Sequence, residues 1–202
     1  LSPSPFEGTG DASNPFIKVD GLSENIISSC IYHDAIPHRY PSIYLQDDNA
    51  HKLYYRRFEQ IPNFDVVLCN SQFTEDEYQD IYKQTNSVAI SAGLSDDIQA
   101  LINNWVYDEN SIGAQYGDYV VYVGGMDWRK NVPCLVKAMA NLPACRAGNM
   151  KLVLVGDFGD EYINPLRAIF DEHSVPQTNL VTTGYISDKE LIDLYKNAFA
   201  AV

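Results

Sequence analysis

Short apolar runs alternate with amphipathic helical patterns in the second half of the chain. Three runs have the length and the β-branched content of buried strands: DYVVYV from residue 118, KLVLVGD from residue 151 and NLVTTGYI from residue 179. Helical periodicity follows each run, and Ser187 with Glu190 has the spacing of a capping box before the third helix. Strands and helices that alternate without hairpin turns predict a parallel sheet covered by helices, as in a doubly wound Rossmann-like domain.

Residues 26–91 show a looser version of the same alternation, with predicted strands in NIISSCIYHD, FDVVLCNS and SVAIS. The spacing of Thr74 and Glu77 predicts a capping box at the start of the helix after the second strand. Residues 92–118 are rich in Gly, Ser, Asp and Asn, which is typical of a connection between domains, although Ile98, Leu101, Ile102 and Trp105 could form a short helix there.

This pattern predicts an α/β protein with two Rossmann-like parallel-sheet domains. The predicted boundaries are 1–92 for the first domain, 93–118 for the linker and 119–202 for the second domain. Neither domain has enough strands to complete a doubly wound sheet, so we expect both to be incomplete and the chain to be an internal piece of a longer protein.

Composition and charge restrict the class of ligand. The formal net charge of −13 argues against nucleic acid or an anionic membrane surface as a partner, because phosphate would be repelled. A small anionic ligand would need a local basic spot. The four cysteines and four histidines show no metal-ligand spacing, and three of the cysteines lie inside apolar segments, so we predict buried thiols rather than a metal site or a disulfide framework. No apolar run reaches the roughly 18 residues of a membrane span, and the first residues do not resemble a signal peptide, so we expect a cytoplasmic protein.

The segment VGGMDWRKN, residues 123–131, provides such a basic spot. Gly124 and Gly125 end a predicted strand and let the backbone approach a ligand, while Arg129, Lys130 and Asn131 stand directly before a helix. A helix N-terminus favours an anion, and two cations beside it suit a diphosphate. The alternative is a solvated turn with two surface cations, and these residues alone leave both interpretations open.

His33 follows another predicted strand, where a side chain of an α/β domain can face a ligand cleft. The alternative is a loop histidine bonded to backbone. Glu7, Asn70 and Ser71 are weaker polar candidates, and Ser71 could equally belong to a helix cap. No nucleophile elbow and no cysteine–histidine pair stands out in the sequence.

Taken together, these segments resemble the retaining nucleotide-sugar glycosyltransferases of family 4, the group 1 glycosyltransferases with the two-domain GT-B fold. The resemblance covers most of the chain and is carried by SPFEG, YHDAIP, FDVVLCNSQFTEDE, YVVYVGGMDWRKNVPCLVKAM, LVLVGD and GYISDKELIDLYKNAFAAV. These segments occur in the order and approximate spacing typical of that family.

The resemblance implies transfer of a sugar from a nucleoside diphosphate to an acceptor hydroxyl with retention, without a metal or any further cofactor. It assigns the donor diphosphate to Arg129 and Lys130, together with the loop residues Gly124, Gly125 and Asn131. His33 would reach the donor sugar, and the backbone around Tyr185 and Ile186 would meet the nucleotide base. The implied acceptor is a saccharide or a lipid-linked saccharide, so peripheral attachment at the inner membrane face stays open.

Two departures from the family pattern affect these expectations. Many members carry an arginine where this chain has Gly125, so Arg129 would take over its role or phosphate binding would be weaker. The family segment E-x7-E, which holds the donor sugar and ribose, does not occur before the chain ends at Val202, so we expect this polypeptide alone to be catalytically incomplete.

The sugar is not determined by these residues. The FEG and RKN segments resemble enzymes that transfer mannose in surface-polysaccharide assembly, which favours mannose as the donor sugar. Two alternatives remain: a non-catalytic nucleotide-binding remnant or scaffold module of the same fold, and a GT-B nucleotide-sugar epimerase or phosphorylase.

Overall fold

Parallel strand pairs organise each half of the chain, as the alternation of strands and helices predicts. The computed structural model describes Phe6 and residues 26–202. The chain divides into two compact units, Leu1–Gly93 and Leu94–Val202. Glu7, one of the weaker candidates from the sequence, lies outside the described residues.

The first unit contains a parallel sheet of order β1-β2-β3. Its strands are β1 (Ser29–Tyr32), β2 (Val66–Cys69) and β3 (Ser87–Ala89), and its helices are α1 (Ile36–Arg39), α2 (Pro41–Tyr44), α3 (Asp48–Phe58) and α4 (Gln72–Tyr82), with a 3-10 turn at Ile61–Asn63.

Aromatic side chains and two thiols fill the core of this unit. Tyr54 and Phe58 of α3 are buried with their rings stacked at a centroid distance of 5.3 Å, so this helical stripe serves packing. Burial raises the pKa of Cys30 and of Cys69 to about 12, and both thiols therefore remain protonated core groups.

The predicted capping box at the start of α4 is wrong. The helix begins at Gln72, and the Oγ of Ser71 accepts the N-cap hydrogen bond from Thr74 N at 3.2 Å. Ser71 takes this position because its backbone is extended directly before the helix, at φ −158° and ψ 165°, one turn earlier than predicted. The carboxylate of Glu77 accepts hydrogen bonds from Ala35 N and from Arg39 Nε, at 3.2 and 3.0 Å, instead of capping the helix.

The second unit contains a parallel sheet of order β6-β5-β4-β7. Its strands are β4 (Tyr119–Val123), β5 (Lys151–Val155), β6 (Leu180–Thr182) and β7 (Ala200–Ala201). Its helices are α5 (Asp96–Asn103), α6 (Val132–Asn141), α7 (Pro143–Arg146), α8 (Asp160–Glu172) and α9 (Asp188–Asn197), with 3-10 turns at Ala114–Tyr116, Trp128–Lys130 and Gln177–Asn179.

All four strands are parallel, but the order in which the chain adds them reverses at β4. From β4 the chain moves outward to β5 and β6 and then returns to place β7 on the other side of β4. Buried residues of α6 and α8 cover one face of the sheet, and Leu194 of α9 packs against the other face. Ligands of doubly wound sheets bind at the carboxyl ends of the strands beside such a reversal.

Residues 94–118 pack with the second unit and contain α5, the short helix that the sequence allowed. The assignment of 93–118 as a linker stays a prediction. Among the described residues, no helix has both the length and the hydropathy needed to cross a bilayer.

Asp193 of α9 fastens this segment to the unit. Only 7% of its surface is exposed, and its carboxylate accepts three hydrogen bonds, from Trp105 Nε1 at 3.1 Å, Gly113 N at 2.8 Å and Asn197 Nδ2 at 3.0 Å. Gly113 lies so close to α9 that an added Cβ would stand 2.9 Å from the carbonyl oxygen of Asp193. All three partners are donors, so the site requires an acceptor on both carboxylate oxygens.

Asp193→Asn should therefore lower the free energy of unfolding by about 1–3 kcal/mol, because in either orientation the new amide turns its NH₂ toward at least one of these donors. Urea denaturation measures the change. Glu172→Gln, at the exposed end of α8, is the matched control and should leave the stability unchanged. Equal stabilities of the two variants would contradict a fastening role for Asp193.

Candidate functional site

Three glycines lie side by side at the carboxyl edge of the second sheet. Gly124, Gly156 and Gly184 follow β4, β5 and β6, and all three have positive φ, at 153°, 137° and 68°. Gly156 N donates to Gly184 O at 3.2 Å, and a Cβ added to Gly156 would stand 3.6 Å from Gly124 O. This stretch of edge therefore presents bare backbone that a ligand can approach closely.

The loop after β4 carries a turn that holds Arg129. Asp127 Oδ1 accepts a hydrogen bond from Arg129 N at 2.9 Å, and the carboxylate of Asp127 accepts two more from Arg129 Nε and Nη2, at 2.8 and 3.1 Å. The hydrogen bonds from Arg129 hold the pKa of the partly exposed Asp127 carboxyl below its usual range. Asp127 therefore orients the guanidinium and offsets part of its charge.

Lys130 and Asn131 complete the loop at the start of α6. Lys130 is exposed, and no described acidic residue forms a salt bridge with it, so it provides a local positive charge. Asn131 adopts a left-handed conformation with φ 48° and precedes Val132, and its side chain makes no capping hydrogen bond. The start of α6 therefore has no side-chain cap, but Pro133 has no N–H and Asn131 O accepts hydrogen bonds from the next two amides, so Lys130 rather than a row of free amides supplies the positive charge there.

Tyr185 and Ile186 leave the same edge of the sheet after Gly184. The Tyr185 side chain is 88% exposed, whereas Ile186 packs against the core on the α9 face. The predicted capping box is confirmed: Ser187 N donates to Glu190 Oε2 at 2.8 Å, and Glu190 N donates to Ser187 Oγ at 3.3 Å. The hydrogen bonds from Ser187 lower the pKa of Glu190, so the box stays intact at neutral pH and fixes the preceding backbone.

The structure thus brings seven predicted site residues to one edge of one sheet: Gly124, Gly125, Arg129, Lys130, Asn131, Tyr185 and Ile186. Gly156 and Gly184 belong to the same edge and were not singled out from the sequence. A signal for them existed, because each glycine stands within two residues of the end of a strand, as Gly124 does.

His33 belongs to the first unit, directly after β1, and its side chain is exposed. The Thr74 hydroxyl donates its single proton to Asn70 Oδ1 at 2.8 Å, and its oxygen lies 3.4 Å from the carbonyl oxygen of His33. Thr74 therefore joins the residues that follow β1 and β2, so His33 and Asn70 lie at the same edge of the first sheet.

Comparison with known proteins decides the family. The family model described as "Glycosyl transferases group 1" matches residues 89–202, more than half of the chain. The chain belongs to the group 1 glycosyl transferases. Within its described part, no group of three or more His, Cys, Asp or Glu side chains could hold a metal ion.

Curated relatives of this group 1 chain include serotype-specific mannosyltransferases WbdA of Escherichia coli. One is 25% identical over 196 residues, which are 94% of this chain and 24% of the relative. The chain therefore spans about a quarter of the length of the curated relatives that it matches.

Solved structures with the same fold include WaaG, a glycosyltransferase involved in lipopolysaccharide biosynthesis, with a TM-score of 0.65 at 14% identity. The match covers 86% of this chain and 49% of WaaG. Sucrose-phosphate synthase from Thermosynechococcus elongatus gives a TM-score of 0.57 at 21% identity, over 86% of this chain and 43% of the enzyme. HepE of Anabaena, solved with UDP-glucose, gives 0.57 at 18% identity, over 86% and 46%. With the two parallel sheets, these neighbours confirm the predicted GT-B fold class.

The two loop glycines should respond differently to substitution. Gly124→Ala should lower the free energy of unfolding by about 1–3 kcal/mol, because an alanine would be strained at this positive φ. Its Cβ would also stand 3.0 Å from the hydroxyl of Tyr122, which donates to Gly125 O at 2.8 Å.

Gly125→Ala is the matched control, since no atom lies within 4 Å of an added Cβ and its φ is not positive. It should change the stability by less than about 0.5 kcal/mol. Chemical denaturation of both variants checks the difference, and an equal loss in both would show that the loop conformation has been misassigned.

Proposed function

We propose that this chain forms part of a glycosyltransferase of polysaccharide biosynthesis. The enzyme would transfer mannose from a nucleoside-diphosphate sugar to a saccharide hydroxyl, with retention of the anomeric configuration. The observation that carries the proposal is the basic loop Gly124–Asn131 at the strand-order reversal of an otherwise acidic chain. Membership of the group 1 family supports the class of reaction, and the mannosyltransferase relatives favour mannose.

The donor diphosphate would lie against the basic loop. Lys130 supplies a positive charge at the uncapped start of α6, and Arg129 supplies a second charge that Asp127 holds in place. Negative charge grows on the departing nucleoside diphosphate as the glycosidic bond breaks, so these two cations act mainly on the transition state. A bound diphosphate would compete with Asp127 for the guanidinium of Arg129.

The nucleotide base would lie near Tyr185 and Ile186. The capping box holds this backbone in place, and the glycine edge between Gly124 and Gly184 leaves room for a ligand to approach the main chain. The crystal structures of HepE with UDP-glucose and with UDP and glucose support a nucleoside-diphosphate sugar as the class of donor.

His33 is proposed to act on the donor sugar. Its imidazole is exposed directly after β1, and its carbonyl oxygen lies 3.4 Å from the Thr74 hydroxyl. We propose no metal and no cofactor besides the donor nucleotide. The acceptor would be a saccharide, free or linked to a lipid, encountered on the cytoplasmic side of the membrane.

Lys130→Ala in the natural protein should lower kcat/KM for sugar transfer about a hundredfold, because one cation that stabilises the leaving diphosphate is lost. Initial rates of nucleoside-diphosphate release measure the effect. Lys137→Ala, an exposed lysine on α6, is the matched control and should retain full activity. Unchanged kinetics for Lys130→Ala would mean that the diphosphate does not bind at this loop.

His33→Ala in the natural protein should lower kcat about a hundredfold and leave the Kd of the nucleoside diphosphate unchanged, because His33 would contact the sugar rather than the diphosphate. Titration calorimetry and single-turnover assays separate the two quantities. His51→Ala, an exposed histidine of α3, serves as the control. Sugar transfer at the wild-type rate in His33→Ala would mean that His33 is a structural loop residue. Nucleotide binding without transfer in the wild-type protein would favour the alternative of a non-catalytic remnant.

A further inference from the structure

A cleft lies beside the basic loop within the second unit. It has a volume of about 290 Å³ and opens between the loop before α6 and the first turns of α8. Side chains from both elements line it, among them Trp128, Asn131, Pro133, Glu161, Tyr162 and Pro165. Neither Lys130 nor Gly124 lines this cleft, but Asn131 does, so the cleft borders the proposed diphosphate site.

Two large aromatic side chains border the cleft. Trp128 is 59% exposed and belongs to the 3-10 turn of the loop, while Tyr162 is 47% exposed and belongs to α8. Scattered exposed aromatic residues are ordinary, but here two of them come from different elements and meet at one concave surface. Flat aromatic faces of this kind pack well against the C–H faces of a sugar ring, and the hydroxyl of Tyr162 adds a polar edge.

Hydrogen-bond acceptors stand beside these rings. The carboxylate of Glu161 is folded against Gly159, since a Cβ added there would lie 2.5 and 2.7 Å from its two oxygens. Pro165 lies four residues later inside α8 and has no N–H to donate to the carbonyl oxygen of Glu161. Glu161 thus offers both a side-chain and a main-chain acceptor, which suits a ligand that is rich in hydroxyl donors.

The charge of the cleft selects against a phosphate. Asp127 and Glu161 both line it, and the whole chain carries a formal charge of −13. A second anionic group would be repelled there, whereas a neutral sugar would not.

We propose that this cleft is a binding subsite for one unit of a neutral saccharide, which would belong to the acceptor or product chain. The inference rests on the proposed function for the identity of the chain, but the binding itself requires no sugar nucleotide. The subsite would hold a growing polysaccharide close to the donor loop and so raise its local concentration.

Binding of mannotriose to the natural protein, followed by saturation-transfer NMR without donor, tests the inference. Tyr162→Ala should weaken binding about tenfold, because the stacking surface is removed. Tyr162→Phe retains the ring and should bind nearly as the wild type does. Tyr195→Ala is the matched control, since Tyr195 is a helical tyrosine of the same unit with 45% exposure outside the cleft.

Three outcomes would overturn the inference. These are the absence of saturation transfer to mannotriose, equal binding by the Tyr162→Ala and Tyr195→Ala variants, and displacement of mannotriose by a nucleoside, which would make the cleft a base site. Calorimetric titration of the same samples with a nucleoside diphosphate tests the donor site of the proposed function independently of saccharide binding. Tyr162→Ala should weaken saccharide binding and retain diphosphate binding. Lys130→Ala should weaken diphosphate binding and retain saccharide binding.

Discussion

The position of β4 between β5 and β7 is the constraint on which the second unit depends. Strand β4 pairs in parallel on both sides, and its residues from Tyr119 to Tyr122 are buried. The Tyr119 hydroxyl donates to Leu194 O at 2.6 Å, which ties the strand to α9. Because the chain moves from β4 to β5 on one side and later returns to place β7 on the other side, the loop that leaves β4 at Gly124 lies at the reversal of the strand order. The location of the basic loop is thus a consequence of strand order.

The ion pair between Asp127 and Arg129 determines how charge is distributed within this loop. Asp127 lies two residues before Arg129 and satisfies both its backbone N–H and its guanidinium, which costs little ordering because the groups are neighbours in the chain. The resulting turn commits the Nε and Nη2 groups of Arg129 to Asp127, while Lys130 is exposed and forms no salt bridge with a described acidic residue. In a chain with a net charge of −13, the surrounding field repels anions in general, so the proposed anion site at this loop would depend on short-range contacts.

Periodic patterns predicted the elements well because burial on a sheet face leaves a period that can be read directly. Six of the seven strands that the structure describes fall within the runs predicted above, and the Ser187–Glu190 box is present. The error at Thr74 arose because Ser71 and Thr74 both carry a hydroxyl that can cap a helix. The helix begins directly after Ser71, whose backbone is extended, so Ser71 is the N-cap. The role of Asp193 could not be predicted, because its partners Trp105 and Gly113 are 88 and 80 residues away in the chain.

The loop between Gly124 and Asn131 presents two chemically different surfaces. One contains glycine backbone and the Lys130 ammonium group, which suits a charged diphosphate. The other contains Trp128 and faces the acidic start of α8, which suits a neutral ring with hydroxyl groups. The 3-10 turn separates these surfaces by setting Trp128, Arg129 and Lys130 at successive angles around one tight turn. A single loop of eight residues therefore presents cationic and aromatic side chains on different sides, because successive side chains leave a tight turn in different directions.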